Sequence, residues 1–451
     1  MGVISGCSPV PSIRPLYTDA DLQKPVAEPR IEGEWISPDV DKADVDKAGT
    51  DEELWLKWKI EAPPPPVWAQ GSYVVEFRPA KPDPGEENHL NVYYVRLVAI
   101  SDKLFFDAEF RRYEQGKEEV GSTDILGLVP AHLVGRVWVQ QDFLRIALLA
   151  PDWVKQNWPT GFYKNSDDSI VITGSTQELR DFLVQNADNP KALGYVVYLC
   201  RPGTDCAARA AEDALARTPD DDDVLEAAAN FYIARGNYAR AATLRQHLAE
   251  LDPDTFSRHV DASDAYLLAR DFAAARQESE ATEKLLLEGP AKPPSSLPNN
   301  LQAAYAHAAE NTVWSYFLEG KYAEAIEAAK NYKPDAAHSS VNPLLLRYFS
   351  LIRLGRRGEA ESLLKEETAK FQGPAVEHVL LLEAQGRVTE GLSLDAKSET
   401  SRRSSFFSGL REIAAGKPAR HLEYATSEPS ESVVALAARI ELERLGPKPK
   451  K

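Results

Sequence analysis

Three cysteines, at positions 7, 200 and 206, are the residues of this 451-residue chain best suited to covalent chemistry. Cys200 and Cys206 flank Arg201-Pro202-Gly203-Thr204-Asp205. A Pro-Gly turn can bring two Cα atoms within the roughly 7 Å that a disulfide requires. Setting Cys7 aside leaves an even pair, which suits an oxidising compartment. Two reduced thiols fit the sequence equally well, and both states stay open. The spacing is not that of a zinc site, and no histidine pair accompanies it.

Other recognisable chemistry is missing from the sequence. There is no Gly-rich phosphate loop, no dinucleotide fingerprint, no Gly-x-Ser-x-Gly elbow and no His-Glu-x-x-His. The eight histidines are scattered. Glu86-Glu87 and Glu118-Glu119 read as solvated carboxylates. Asp220 to Asp223 are adjacent in the chain and cannot all converge on one ion, so they read as a helix start. The expectation is a protein that is not an enzyme and takes no cofactor or metal. The net charge of −17 repels phosphate backbones, so no nucleic-acid partner is expected. Apolar residues at 43% and charged residues at 27% are the balance of a globular protein. The length suggests two or three domains. No run of about 18 apolar residues offers a transmembrane helix.

The elements that would position these residues fall into four stretches: 1–30, 31–200, 201–446 and a short tail at 447–451. The first holds Ile4-Ser5-Gly6-Cys7, which resembles a bacterial lipobox. The resemblance implies that Cys7 carries lipid and anchors the chain to a membrane of the cell envelope. A signal peptide's basic and apolar regions are missing before it, so on this reading the true start lies upstream of Met1. With Cys7 unmodified, a cytoplasmic location is the alternative. Residues 8–30, rich in Pro and polar residues, read as a flexible linker.

Residues 31–173 read as β, with segments of alternating, β-branched or aromatic character between turn signals. They are Gly33 to Trp35, Leu54 to Ile60, Ser72 to Arg78, Leu90 to Ile100, Leu104 to Phe110, Leu133 to Gln140, Phe143 to Leu149 and Ser169 to Thr173. Many short strands joined by hairpins suggest an antiparallel, barrel-like domain that leaves no open edge. Trp35, Trp55, Trp58 and Trp138 are candidate core residues. Ser175-Thr176-Gln177-Glu178 is a capping box that starts one trailing helix. Gly33-Glu34-Trp35 resembles the Gly-x-Trp signature of lipocalins, where the Trp plugs the closed end of the barrel. Together with the expected tether, this part is similar to a lipocalin-like domain of a bacterial lipoprotein, which implies a small apolar ligand.

From about residue 205 the composition shifts to Ala, Leu, Glu and Arg with helical periodicity. Ala229, Tyr232, Gly236, Tyr238, Ala241 and Pro253 stand at the spacings of a tetratricopeptide repeat. Ser263, Tyr266, Phe272 and Ala275 follow at matching offsets, with Arg270 where Gly is expected. Tyr316, Gly320, Tyr322 and Ala325 form a third unit, Gly355 and Ala360 a fourth, and Gly386, Gly391 and Gly416 weaker ones. The chain is similar here to that repeat family, which implies an all-α solenoid of antiparallel helix pairs. Ala275 to Ala325 is 50 residues rather than 34, and the excess falls in the Pro-rich stretch 289–298. Ser430 to Leu445 reads as a closing helix.

The resemblance implies a protein partner held in a groove lined by the first helix of each pair. Asn230, Asp261, Asp264 and Arg347 are the candidate groove residues. The leading expectation is a protein-binding scaffold of the envelope. A carrier of a small apolar ligand and a cytosolic adaptor are the alternatives.

Overall fold

Residues of a β-strand point alternately to its two faces, so an apolar run with no polar alternation must bury both. Adjacent Leu97 and Val98 do this. Leu97 joins one core cluster with Trp35, Phe106 and Leu144, and Val98 joins another with Phe105, Val134 and Leu179. The computed structural model describes residues 10–24, 26–36, 56–61, 72–79, 90–115, 118–121, 132–159, 162–164, 170–204, 206–287, 297–332, 340–371, 373–387, 398–426 and 432–446. Its contacts divide the chain into residues 1–218 and 219–451.

The first unit contains strands β1 (Pro11–Ser12), β2 (Gly33–Ile36), β3 (Leu56–Glu61), β4 (Ser72–Pro79), β5 (Leu90–Ile100) and β6 (Lys103–Gln115). After them come β7 (Glu118–Gly121), β8 (His132–Val139), β9 (Phe143–Leu148), β10 (Phe162–Lys164), β11 (Ile170–Ile172) and β12 (Tyr195–Cys200). All pairings are antiparallel except a single parallel bridge between β1 and β11. The sheet curls. From β8 the ladder runs through β9, β12, β2, β3, β4 and β5 to β6, and β6 pairs with β8 again. Tight approach of the strands is paid for at Gly135. A Cβ there would overlap the carbonyl oxygen of Ala147 and reach 2.8 Å from Cε1 of Phe106.

Helices α1 (Asp19–Gln23), α2 (Pro151–Asn157), α3 (Thr176–Gln185) and α4 (Ala207–Arg217) complete this unit. The capping box of α3 forms: Ser175 N donates to Glu178 at 2.7 Å, and Glu178 N donates to Ser175 Oγ at 3.3 Å. Leu179, Phe182 and Leu183 then cover the outer face of the sheet. Three features differ from the expectations. Residues 10–24 and 26–30 are not a free linker: Val10, Ser12 and Leu16 are buried against the sheet. Strand β12 was not expected, yet it joins β9 to β2. The expected boundary at 200/201 falls inside the first unit, because α4 is tied to the sheet. Arg145 on β9 donates to both carboxylate oxygens of Asp213 at 2.7 Å, and Tyr198 donates to the same carboxylate at 2.9 Å.

The second unit is helical: α5 (Asp222–Ala234), α6 (Tyr238–Leu251), α7 (Phe256–Leu268), α8 (Phe272–Leu287), α9 (Asn299–Glu319), α10 (Tyr322–Asn331), α11 (Asn342–Arg353) and α12 (Arg357–Lys370). They are followed by α13 (Ala375–Ala384), α14 (Glu399–Ala414), α15 (Arg420–Ala425) and α16 (Val433–Leu445). Asp221 caps α5 by accepting from Val224 N, the helix start expected of that acidic run. Short turns send each second helix back along the first. The turns carry a left-handed residue at Gly236, Arg270, Gly320 and Gly355, and Gly386 and Gly416 repeat the conformation. Five positions after the first four stand Ala241, Ala275, Ala325 and Ala360, all fully buried where helices cross closely. Helix α16 returns to the turn ends of earlier pairs. Arg270 pairs with Glu443, Arg444 donates to Leu318 O at 2.5 Å, and Arg353 pairs with Glu441. Gly391 and the stretch 288–296 lie outside the described residues.

Candidate protein-binding site

The four expected groove residues lie on first helices: Asn230 on α5, Asp261 and Asp264 on α7, and Arg347 on α11. Three of them are brought into one polar band. Arg245, buried on α6, donates to Asn230 Oδ1 at 2.6 Å and reaches Asp261 at 3.4 Å and Glu226 at 3.5 Å. Arg258 holds Asp222 at 2.6 Å. Asp264 accepts from Asn311 at 2.6 Å and contacts His307 at 2.8 Å, both on α9. The band therefore crosses α5, α7 and α9, and its carboxylates remain about half exposed.

The charges within the band are coupled. Contact with Asp264, opposed by burial, raises the His307 imidazole to about 9. Partial burial pushes the Asp261 carboxyl up; Arg245 opposes it, and the charges of Asp264 and Glu226 add to it. Arg347 is not part of the band. Its Nε is buried without a hydrogen-bond partner among the described residues.

A second concavity of about 510 Å³ opens between α8 and α10, with α9 as its floor. Its walls carry Glu280, Glu283, Glu324 and Glu327, and its floor Tyr305 and Tyr316. No sequence motif pointed to it.

The first unit holds a buried polar group that sequence reasoning also missed. Asp107, enclosed on β6, accepts from Leu16 N at 2.5 Å and contacts His132 Nδ1 at 2.7 Å. Its carboxylate thus pins the N-terminal segment to the sheet. Trp35 is fully buried, donates to Ile31 O at 2.7 Å, and carries Arg201 3.9 Å from its ring centroid. Burial and the Asp213 charge push the Tyr198 phenol up to about 12. Cys200 and Cys206 are paired as a disulfide, with Cα atoms 5.9 Å apart. Cys7 lies outside the described residues. Among the described residues no group of three His, Cys, Asp or Glu side chains could hold a metal ion, and no helix is long and apolar enough to cross a membrane.

No family model matches the sequence, and no curated protein matches it.

Proposed function

We propose that this chain is a non-enzymatic protein-binding scaffold whose helical unit is a tetratricopeptide-type repeat. One observation carries the reading: the left-handed turn residue at 236, 270, 320 and 355, followed each time by a fully buried Ala five positions on. A unit of that kind cannot bury its apolar face alone and must stack, which exposes a continuous row of first helices. The polar band of Asn230, Asp261 and Asp264 on that row is the surface offered to the partner. Arg347 stands apart from the band and is not assigned to it.

On this reading the chain belongs to the cell envelope, tethered by lipid on Cys7. The Cys200–Cys206 pair supports an oxidising compartment. The lipocalin-like carrier is the weaker reading, because Trp35, Leu97, Phe106 and Leu144 occupy the cluster where a carried ligand would sit.

The test is site-specific photocrosslinking in the native cell. A photoreactive residue is placed at Asp261 or Asp264, and at Thr243 and Glu361 as controls outside the band. A discrete protein adduct from the first two positions, absent from the controls, is the expected result. Equal labelling at all four positions, or none at 261 and 264, overturns the assignment.

A further inference from the structure

The cavity between α8 and α10 is distinct from the first-helix band, since its walls are second helices. Three of its carboxylates have no counter-charge among the described residues. Glu280, Glu283 and Glu324 make no hydrogen bond or ion pair among the described residues, whereas Glu327 is held by Lys330 at 2.6 Å. Burial, and then the charge of Glu280, raise the Glu283 carboxyl above its ordinary range. Glu280 and Glu324 are exposed and Glu283 is partly withdrawn from water, so Glu283 is the carboxylate whose charge a cation relieves most.

The floor supplies an independent sign of a ligand. Tyr305 is only 7% exposed, lines the cavity, and its hydroxyl has no hydrogen-bond partner among the described residues. That hydroxyl is not among the sealed, unpartnered polar atoms of the described residues, so it opens to the cavity and can meet a ligand's N–H there. The neighbouring floor residue Tyr316 already shows what these rings accept. Arg276 lies 4.4 Å from its centroid while pairing with Glu319 at 2.8 Å. Carboxylates beside a tyrosine ring form a site for a guanidinium or ammonium group, which gains from both the charge and the ring face. The cavity is an open cleft of about 510 Å³, large enough to admit a side chain.

We infer that the α8–α9–α10 cavity is a binding site for a Lys- or Arg-bearing segment of a partner protein, with Glu280, Glu283 and Glu324 meeting the cation and Tyr305 accepting from its N–H groups. The inference shares with the proposed function only the idea that the partner is a protein. The crosslinking from Asp261 and Asp264 can succeed or fail independently of it.

The probe is a fluorescein-labelled nonapeptide of alternating Lys, Arg and Gly, titrated with the full-length chain and read by fluorescence anisotropy at low and physiological salt. The expected result is saturable binding, with no binding of a Glu-substituted peptide. The E280Q/E283Q/E324Q variant is expected to weaken it at least tenfold. An E361Q/E366Q/E367Q variant removes the same charge from the exposed face of α12 and is expected to bind as the native chain does. Tyr305→Phe, which leaves the ring in place, is expected to weaken binding severalfold while the circular-dichroism melt stays unchanged. Equal weakening by both triple variants would mean that the peptide merely senses an acidic surface, and would overturn the site. So would native-like binding by the E280Q/E283Q/E324Q chain.

Discussion

Arg270 donates through both terminal nitrogens to the two carboxylate oxygens of Glu443, each at 2.7 Å, across 173 residues of sequence. Arg270 also holds φ at 63°, the left-handed turn that glycine fills in the other pairs. This turn lacks the residue that makes it easiest, and in its place stands an arginine clamped to α16. An L-residue in that conformation costs about 1–2 kcal/mol. An exposed ion pair returns about 0.2–1 kcal/mol. Arg270→Gly is therefore expected to leave the helical unit as stable as the native chain or more so, by up to about 2 kcal/mol in urea unfolding. A loss of 2 kcal/mol or more would show that the clamp outweighs the strain.

Glu441, two residues before that clamp residue, has the opposite character. Its side chain is fully buried and accepts from Arg353 and Arg444, which ties α11 and α16 together. Removing one member of a buried charge cluster leaves the others without compensation, typically costing 3–5 kcal/mol. The two arginines keep some exposure, so Glu441→Gln is expected to cost about 3 kcal/mol, at the lower end of that range. The check is the same urea series. A change below 1 kcal/mol would mean that water replaces the carboxylate freely.

Asp264 raises the His307 imidazole to about 9, above the ordinary value of 6.5. A histidine raised by folding stabilises most at pH values below its unfolded pKa. That contribution fades as the pH climbs from about 6.5 to about 9 and the folded form loses its proton. The contact between α7 and α9 is therefore expected to loosen over that window. Titration of the His307 ring by NMR should give a midpoint near 9, and Asp264→Asn should return it toward 6.5. A native midpoint near 6.5 would show that solvent screens the half-exposed pair.

The helical half was legible because its physics is local. The turn and crossing positions recur at near-constant spacing, so Gly236, Gly320, Gly355 and their alanines could be read directly. Arg270 was readable as a departure, but its partner Glu443 was not, since nothing local marks a contact 173 residues away. The β half shows the same division. Most strands followed from alternation, and the capping box at Ser175 followed from four residues. The N-terminal segment was misread because its Pro and polar residues look like a tether. It is held by Asp107, whose contact with Leu16 N spans 91 residues. Glu280, Glu283 and Tyr305 were invisible for a similar reason: the cavity they line is assembled from three helices, and nothing local in the sequence marks it.

Cys200 ends β12, and Cys206 caps the start of α4. Their Cα atoms, 5.9 Å apart, stand at the ordinary separation for a disulfide, and both side chains are buried. Closing so short a loop restricts the unfolded chain only modestly, and the chain-entropy relation gives about 2 kcal/mol. Replacing both residues with serine is expected to lower the stability of the first unit by about that amount under oxidising conditions. Dithiothreitol should bring the native chain down to the level of the variant. The decisive comparison is alkylation of the denatured chain with and without prior reduction, read by intact mass. Two further adducts that appear only after reduction would establish the bond and favour an oxidising compartment. Full alkylation without reductant would leave two buried thiols and remove that support for an envelope location.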